Sequence, residues 1–473
     1  MKITNYKNQK VGVLGLGEEN IALVKFLVKE GTKVVVCDQK SREELGEYYQ
    51  QIKDLPIQFR LGPHYLDHLE DFAAVFRTPG LPYLDKKIQK AQLAGVEISS
   101  GTKLFFDLCP SPIIGVTGTK GKGTTASLIY EILSWKSEIL NPKSQTNSKS
   151  QNTKSKIYLG GNIGNPPIEF LDKLTQDDIV VLELSSFQLH DLKKSPHIAV
   201  VLDIKVDHLD YHQNEKEYIE AKKNIVRYQG KNDFAVINAD YLTSFEFAVL
   251  TRGEVFYFSR RKSVDQGAYV NGDKKIILRS ALGDDIEIMA AKKTQLRGEH
   301  NLENILAAVT ASYLAGAKIE AIKKALALFK GLEHRLEFIK EINGIRYYND
   351  SFSTTPDTTI AAINSFREPI ILLLGGSEKN ADYRHLGQVI SNSSVKAIIA
   401  IGLTAQRIIK EVKKVKIEII EEIKLMPEAI KIAREIGRPG DVVLLSPASA
   451  SFDRFKNYKE RGNIFKQVVL ESK

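Results

Sequence analysis

Short apolar runs alternate with amphipathic helical patterns along most of the chain, and this alternation gives the first structural prediction. The runs that predict strands lie at residues 11–16, 33–38, 73–76, 96–98, 113–116, 179–184, 198–203, 345–348, 370–374, 397–401 and 442–445. Helical patterns stand out at 301–315 and 318–329. Because strands that alternate with helices are typical of parallel sheets covered by helices, the predicted fold class is α/β.

The length of the chain and its turn residues predict several domains. At 473 residues the chain is too long for one hydrophobic core, so two or three domains are expected. Pro110 and Pro112 indicate one boundary, and a new alternation of strands and helices starts near Gly331. The predicted domains are 1–108, 109–330 and 331–473. Around Gly272, alternating residues indicate a β-hairpin in the second domain.

One segment departs from the globular pattern. Residues 137–156 are almost all Ser, Asn, Gln, Thr and Lys. Such a composition cannot bury enough apolar surface to offset its ordering entropy, so a flexible surface insertion is predicted.

Composition excludes several classes of protein. The chain is 43% hydrophobic and 26% charged, which is typical of a globular protein. No apolar run approaches the ~18 residues of a membrane helix, and the first ten residues lack the apolar core of a secretory signal. With only Cys37 and Cys109, no disulfide framework is expected, and a cytoplasmic location is predicted. The net charge of +9 comes from scattered lysines without interleaved aromatics, so no nucleic-acid partner is expected.

The turn after the first strand carries part of a dinucleotide-binding fingerprint. Gly15, Leu16 and Gly17 match the start of G-x-G-x-x-G, but Asn20 replaces the third glycine. Asp38 ends the second strand, where a ribose-binding acid lies in such folds. A nicotinamide dinucleotide and another nucleotide diphosphate both remain open, because exposed backbone N–H groups accept any phosphate.

The strongest local signal is a glycine-rich turn between a strand and a helix. Such a turn lets backbone N–H groups face a phosphate, while Lys122 supplies charge to the β- and γ-phosphates. Gly123 stands where a magnesium-binding hydroxyl usually follows the lysine, so Thr124 or Thr125 is the expected substitute. The predicted phosphate-binding residues are Gly118, Thr119, Lys120, Gly121, Lys122, Gly123, Thr124 and Thr125. The structural alternative is a glycine-rich turn with an exposed lysine.

Metal-ligating side chains follow two neighbouring strands of the same segment. Glu183 ends one apolar strand, and His208 stands between Asp207 and Asp210 after the next. Carboxylates at the carboxyl edge of a sheet beside a phosphate loop are suited to a magnesium ion. The alternative for Glu183 is a solvated strand end, and a lone histidine is more often structural.

Taken together, the motifs resemble one family, the Mur ligases. The resemblance runs from the first strand almost to the C-terminus. It rests on the segments 117–122, 160–164, 183–189, 207–210, 221–223, 300–304, 334–335, 349–351 and 445–458. It is strongest to the branch that adds D-glutamate to UDP-N-acetylmuramoyl-L-alanine. Residues 137–156 resemble an insertion relative to this pattern.

The resemblance implies a fold and a reaction. Three domains are expected: a Rossmann-like N-terminal domain for the UDP group, a central P-loop-type ATPase domain, and a Rossmann-like C-terminal domain for the amino acid. ATP would phosphorylate the substrate carboxylate, and the amine of D-glutamate would displace phosphate from the acyl phosphate. The implied cofactors are ATP and Mg²⁺, with two ions expected. A monomer without membrane insertion is expected.

The resemblance also assigns roles to residues. Lys122, His208 and Lys222 would be catalytic, and Lys222, chosen over Lys223, would carry a carbamate. The implied metal ligands are Thr124, Glu183, His208 and Lys222. The implied ATP contacts beyond the glycine-rich turn are Asn301, Asn304, Arg335 and Asp350, with Asp350 on the ribose. The implied substrate contacts are Gly15, Leu16, Gly17, Asp38, Asn162, Ser185, Thr354, Lys379, Ser451 and Tyr458.

Two departures and two alternatives accompany the resemblance. Phe352 stands where the branch usually has a lysine, and Gly123 resembles the folylpolyglutamate synthase form of the loop. A different Mur ligase or a folylpolyglutamate synthase-like amide ligase is one alternative, although residues 1–108 argue against the latter. A catalytically silent nucleotide-binding protein is the other. The presence of Lys122, Glu183, His208 and Lys222 argues against it.

Overall fold

The computed structural model describes residues 6–139, 155–205, 211–378, 380–413 and 417–472. The chain forms two compact units, the first made of Met1–Ala291 with Glu303–Leu326 and the second of Lys292–Leu302 with Ala327–Lys473. The first unit contains two sheets and the second unit contains one.

The first sheet is entirely parallel and forms the N-terminal part of the first unit. Its strands are β1 (Lys10–Leu14), β2 (Lys33–Asp38), β3 (Gln58–Leu61), β4 (Ala74–Arg77) and β5 (Glu97–Ser99), in the order β3-β2-β1-β4-β5. The helices between and after them are α1 (Glu18–Lys29), α2 (Arg42–Leu45), α3 (Glu47–Gln50), α4 (Lys86–Leu93) and α5 (Gly101–Leu108). Val11 and Val13 of the central strand are fully buried, as expected for a strand covered on both faces.

The second sheet has nine strands. They are β6 (Ile113–Thr117), β7 (Ile157–Gly161), β8 (Ile179–Glu183), β9 (Ile198–Val201), β10 (Phe234–Asn238), β11 (Glu254–Ser259), β12 (Gly267–Val270), β13 (Lys275–Arg279) and β14 (Asp285–Ala290). Their order is β14-β13-β12-β11-β10-β9-β6-β8-β7, parallel from β7 to β12 and antiparallel beyond. The carboxyl ends of β6, β8 and β9 therefore meet at one edge of the sheet.

Helices follow the strands of the second sheet. They are α6 (Lys122–Ile139), α7 (Ser186–Leu189), α8 (Glu215–Arg227), α9 (Leu242–Phe245), α10 (Glu299–Leu314) and α11 (Ile319–Leu328). Short 3₁₀ helices occur at Leu69–Asp71, Pro167–Glu169, Leu171–Lys173, Glu246–Leu250 and Ala291–Lys293. None of the helices in the described ranges is both long and apolar enough to cross a bilayer.

The third sheet belongs to the second unit. Its strands are β15 (Glu337–Ile342), β16 (Ile345–Asn349), β17 (Ile370–Leu374), β18 (Val395–Ile401), β19 (Glu418–Ile423) and β20 (Val442–Leu445), in the order β15-β16-β20-β17-β18-β19. Only β15 is antiparallel to its neighbour. The accompanying helices are α12 (Pro356–Ile363), α13 (Arg384–Asn392), α14 (Ala405–Lys410), α15 (Met426–Ile436) and α16 (Tyr458–Glu471).

The predicted α/β class is confirmed, and every run predicted as a strand overlaps one. The hairpin around Gly272 is confirmed by the antiparallel pairing of β12 with β13. The edge strands β3, β15 and β19 were not predicted, because an edge strand is half exposed and has no continuous apolar run. The interior strands β10 and β11 were also not predicted.

Helix α6 extends into the segment that was predicted to be a flexible insertion. Helix α6 continues through residues 137–139, which were assigned to the loop, because no helix-breaking residue occurs before Pro142. Residues 140–154 of the predicted insertion lie outside the described part of the chain.

A buried arginine links the first and second sheets within the first unit. Arg77, at the end of β4, is 1% exposed and its Nη2 lies 2.7 Å from Asp191 Oδ1. The same guanidinium donates to the carbonyl oxygens of Leu81 and Phe187 and to the hydroxyl of Tyr211. Three segments of the first unit therefore converge on one cation.

We expect Arg77→Ala to destabilise the first unit strongly, because among the described residues Asp191 would remain buried with only Lys103, 3.4 Å away, as an ionic partner. Removing one member of a buried pair typically costs about 3–5 kcal/mol. Urea unfolding measures the loss. The matched control is Lys87→Ala at the exposed pair with Asp67, where less than about 1 kcal/mol is expected. Equal losses in both variants would contradict this role of Arg77.

Candidate active site

The glycine-rich turn after β6 has a backbone that only glycine tolerates at two positions. Gly118 has φ of +158° and Gly121 has φ of +84°. A Cβ at Gly118 would lie 2.7 Å from Leu202 Cβ, and a Cβ at Gly121 would overlap the side-chain oxygen of Asn304. The turn is thus tightly enclosed, and α6 begins immediately after it at Lys122.

Two lysines bind the carbonyl groups of this turn. Lys122 Nζ donates to the carbonyl oxygens of Gly118 at 3.1 Å and Thr119 at 3.0 Å. Lys222 Nζ donates to the same Gly118 oxygen at 3.0 Å and lies 4.8 Å from the centre of the Tyr218 ring. Lys222 is 1% exposed. Both predicted catalytic lysines therefore lie at the turn.

The neighbouring lysine has a different environment. Lys223 Nζ pairs with Glu220 at 2.7 Å on the same helix, α8. Of the two adjacent lysines, only Lys222 contacts the glycine-rich turn in the described structure.

Thr119 fixes the turn to the segment after β9. Its amide donates to the carbonyl oxygen of Asp203 at 2.8 Å, and its hydroxyl lies 2.8 Å from the Lys205 carbonyl oxygen. The same hydroxyl lies 3.0 Å from the Tyr218 hydroxyl, which comes from α8. The hydroxyl of Thr119 is therefore already hydrogen-bonded. Its contact with a phosphate stays a prediction.

Glu183 and Asn162 lie together at the carboxyl ends of β8 and β7. Asn162 Nδ2 donates to Glu183 Oε1 at 3.2 Å, and the Asn162 amide donates to the Glu183 carbonyl oxygen at 2.9 Å. A Cβ at Gly161 would overlap that carbonyl, which explains the glycine before Asn162. Glu183 is 5% exposed, so its carboxylate is a buried candidate metal ligand at the sheet edge next to β6.

The two candidate hydroxyls on α6 are both buried. Thr125 is fully buried, and its Oγ1 has no hydrogen-bond partner within the described residues. Thr124 is 6% exposed. Lys120 is exposed on the turn, and Gly123 lies in the first turn of α6. Two predicted site residues, His208 and Lys379, lie outside the described residues.

The turn after β1 is organised by Asp38. The Leu16 amide donates to Asp38 Oδ2 at 2.6 Å and the Lys40 amide donates to Asp38 Oδ1 at 2.9 Å. Gly15 has φ of +79°, and Asn20 Nδ2 donates to the carbonyl oxygens of Leu14 and Gly15. Asn20 therefore supports the turn from within, where the fingerprint has its third glycine.

Ser185 has a structural partner. Its hydroxyl accepts a hydrogen bond from the Gln188 amide, and the Gln188 side chain accepts one from the Ser185 amide. This reciprocal pair is a capping box that starts α7. The predicted substrate contact of Ser185 would have to coexist with the cap.

In the second unit, Asp350 is buried at the end of β16. The Leu336 amide donates to Asp350 Oδ1 at 3.1 Å, and the Ser446 hydroxyl donates to Asp350 Oδ2 at 2.8 Å. Burial raises the pKa of Asp350 to about 6, against hydrogen bonds that favour the carboxylate. A carboxyl group held in this way can accept hydrogen bonds from a ligand once it is ionised.

Phe352, which replaces the expected lysine, contacts a guanidinium and a second aromatic ring. The Arg335 guanidinium lies 3.6 Å from the centre of the Phe352 ring, and that ring meets the Tyr458 ring edge-on at 5.0 Å. Arg335, Phe352 and Tyr458 therefore hold one another's side chains in place. Thr354, two residues after Phe352, is half-buried, and its amide donates to the Phe352 carbonyl oxygen.

The sequence did not reveal Arg461, which supports this region. Arg461 is 2% exposed and donates to the carbonyl oxygens of Ser351, Ser449 and Ala450. Ser451 follows these residues directly and is also 2% exposed. An arginine in the polar-rich helix α16 gives no sequence signal of burial, because long charged side chains are common on helix surfaces.

The two asparagines of α10 have separate roles. Asn304 lies in the first unit against Gly121, whereas Asn301 lies in the second unit and its Nδ2 donates to the Arg297 carbonyl oxygen at 2.7 Å. The structure therefore brings Asn304 to the glycine-rich turn and gives Asn301 a bond that supports the start of α10.

A strand, a glycine-rich turn with a lysine at the helix start, and a carboxylate on the adjacent strand define a P-loop-type nucleotide-binding protein. Three family models match the chain in order: a Mur ligase MurD-like N-terminal domain over residues 9–100, a Mur ligase middle domain over 116–312 and a Mur ligase glutamate ligase domain over 334–449. The chain belongs to the Mur ligase family, and the predicted resemblance is confirmed. Members of this family are ATP-dependent ligases that form amide bonds, and this chain is such an enzyme.

Curated relatives match nearly the whole chain. UDP-N-acetylmuramoylalanine–D-glutamate ligase of Acetivibrio thermocellus is 41% identical over 98% of this chain and 96% of the relative. The protein of the same name from Symbiobacterium thermophilum is 40% identical over 98% of each chain.

Solved structures share the fold at low sequence identity. UDP-N-acetylmuramate-alanine ligase MurC of Thermotoga maritima has a TM-score of 0.58 at 18% identity, with 98% of this chain and 100% of that chain covered. MurF ligase of the same organism, in complex with ADP, has a TM-score of 0.57 at 16% identity, with 98% and 96% covered. These similarities extend the fold assignment over the full chain.

The raised pKa of Asp350 predicts a pH-dependent stability. The folded carboxyl has a pKa of about 6 against an ordinary value of 3.8, so the folded state holds the proton more tightly. Its contribution to stability is therefore lost as pH rises through this window, by roughly 3 kcal/mol. In urea unfolding, wild type should lose about this much relative to Asp350→Asn between pH 4 and pH 7. A difference that does not vary with pH would contradict the assignment.

Proposed function

We propose that this enzyme adds D-glutamate to UDP-N-acetylmuramoyl-L-alanine in an ATP-dependent reaction. The name shared by relatives about 40% identical over almost the whole chain supports this substrate pair. The observation that carries the catalytic part of the proposal is the convergence of Lys122 and Lys222 on the Gly118 carbonyl.

The reaction would proceed in two balanced steps. An oxygen of the substrate carboxylate attacks the γ-phosphorus of ATP, so that ADP leaves and an acyl phosphate forms. The amine of D-glutamate then attacks the acyl carbon, an amide bond forms, phosphate leaves and the amine gives up a proton. Activation is needed because a carboxylate is a poor electrophile until a good leaving group is attached.

The first unit would supply the phosphoryl-transfer site. Backbone amides of residues 120–124 would surround the phosphates, and Lys122 would balance charge on the β- and γ-phosphates. Lys122 now binds two carbonyl groups of the turn and would turn towards the nucleotide. Asn304, against Gly121, would border the nucleotide.

The donor set at the sheet edge fits magnesium. Glu183 offers a buried carboxylate, and Thr125 Oγ1 has no partner within the described residues, while Thr124 is the alternative hydroxyl. Magnesium prefers such oxygen ligands, and when bound it would neutralise developing charge on the phosphates. His208 and a carbamate on Lys222 are the proposed ligands of a second ion. The burial of Lys222 against the turn supports its choice over Lys223.

Substrate recognition would be divided between the units. In the first unit, the turn at Gly15, Leu16 and Gly17, ordered by Asp38, would bind the UDP group, and Asn162 and Ser185 would lie along the muramoyl part. In the second unit, the proposed D-glutamate contacts are Thr354, Lys379, Ser451 and Tyr458, and the proposed ATP contacts are Asn301, Arg335 and Asp350. The two cysteines are free, in keeping with a proposed cytoplasmic location.

Phosphate release tests the substrate assignment directly. With ATP, Mg²⁺ and UDP-N-acetylmuramoyl-L-alanine present, release should depend on D-glutamate. L-Glutamate, diaminopimelate and lysine serve as matched alternatives and should give only background release. Equal release with diaminopimelate, or failure of the protein to bind a uridine nucleotide, would refute the proposal.

Lys222→Ala should abolish ligase activity, because it removes the buried side chain beneath Gly118 and the proposed carbamate. A short carboxylic acid should restore part of the activity by replacing the missing anion. The matched control is Lys223→Ala, which removes only the pair with Glu220 and should retain activity. Thermal unfolding checks that both variants fold. Normal turnover by Lys222→Ala would contradict the assignment.

A further inference from the structure

Two histidines and a glutamate meet in the first unit, outside the residues assigned above. His190 directly follows α7, His212 precedes α8, and Glu217 lies in the first turn of α8. One ligand atom from each lies within 4.8 Å of the others. Glu217 Oε1 is the shared centre, 3.2 Å from His212 Nδ1 and 3.7 Å from His190 Nε2.

The side chain of His190 is unusual because it makes no hydrogen bond in the described structure. Its Nδ1 is buried without a partner. Its Nε2 faces Glu217 Oε1 at 3.7 Å, which is too long for a hydrogen bond. The side chain is 12% exposed, so bulk water reaches little of it. A largely buried imidazole is costly in this state, since buried polar groups normally have partners.

The spacings from Glu217 Oε1 to the two imidazoles fit a shared metal ion. Imidazole nitrogen and carboxylate oxygen bind zinc at about 2.0–2.2 Å, which places two ligands of one ion roughly 3.0–3.7 Å apart. The separations of 3.2 Å and 3.7 Å fall in this range. Two histidines with one glutamate are also a common protein ligand set for zinc.

The surroundings support His212 as an oriented ligand. Its Nε2 lies 2.9 Å from the Ser186 hydroxyl, which holds the ring with Nδ1 towards Glu217. Such a bond to the second ring nitrogen is the usual support of a metal-binding histidine. The second Glu217 oxygen accepts a hydrogen bond from the Gln213 amide at 2.9 Å.

The charge nearby is compatible with a cation. The buried Arg77, a cation that acts on His190, is itself paired with Asp191 at 2.7 Å. Burial lowers the pKa of His190, which favours the neutral, metal-binding form of the ring.

We propose that His190, His212 and Glu217 form a binding site for a zinc-class divalent transition-metal ion, separate from the magnesium ligands at the phosphate loop. The ion would join the end of α7 to the start of α8. These elements follow Glu183 and carry Lys222, respectively, so the ion would fix the two segments that support the phosphate loop. The inference does not depend on the identity of the amino-acid substrate.

Zinc binding to the full-length protein in excess Mg²⁺ tests the site by calorimetry. We expect one high-affinity zinc ion in wild type. Loss of a ligand in His190→Ala or Glu217→Gln should weaken binding by at least the roughly 10–100-fold that follows loss of a supporting partner. The matched control is His64→Ala, whose side chain is 85% exposed in a surface pair, and it should bind zinc as wild type does.

A Glu183→Gln variant separates this site from the phosphate loop, and its zinc affinity should remain unchanged. X-ray absorption of zinc-loaded wild type covers the case in which a ligand variant fails to fold, and it should show two imidazole nitrogens at about 2.0–2.1 Å. The proposal is overturned if wild type binds no zinc in excess Mg²⁺, if His190→Ala binds it with wild-type affinity, or if Glu183→Gln abolishes binding. Absorption spectra without imidazole ligands would overturn it equally.

Discussion

The buried carbonyl groups of the glycine-rich turn need hydrogen-bond partners from outside the turn, and the centre of the first unit is arranged around this constraint. The carbonyl oxygen of Gly118 accepts hydrogen bonds from Lys122 and Lys222, and the Thr119 amide reaches back to the segment after β9. The glycines give the backbone its curvature, while α8 and β9 supply the partners that keep it. The loop therefore depends on elements more than eighty residues away in sequence.

Two buried arginines also donate hydrogen bonds to backbone carbonyl groups. Arg77 donates to carbonyl groups in two segments of the first unit, and Arg461 donates to carbonyl groups in two segments of the second. A guanidinium suits this task because its five donors lie in a rigid plane and can serve several acceptors at once. Each guanidinium is buried, so it makes its hydrogen bonds to the protein and not to water.

The sequence predicted most of the interior strands and the glycine-rich turn because both depend on local signals, namely apolar runs and residues that permit unusual backbone angles. It could not predict the edge strand β19, where charged residues such as Glu418 and Glu421 alternate with apolar ones. It selected Lys222 over Lys223 only by resemblance to a family, and the contact of Lys222 with the turn is a finding of the structure. The burial of Arg461 and the meeting of His190 with Glu217 arise from contacts across the fold, which periodicity does not record.

Helix α6 has a practical consequence for anyone who wishes to modify this enzyme. Its 18 residues rise roughly 27 Å from Lys122 to Ile139, so its far end is remote from the phosphate-facing end. The polar segment that follows Ile139 is therefore a suitable place to attach a fluorophore or an affinity tag. A label there would be joined to the chain at the end of α6 that lies opposite Lys122.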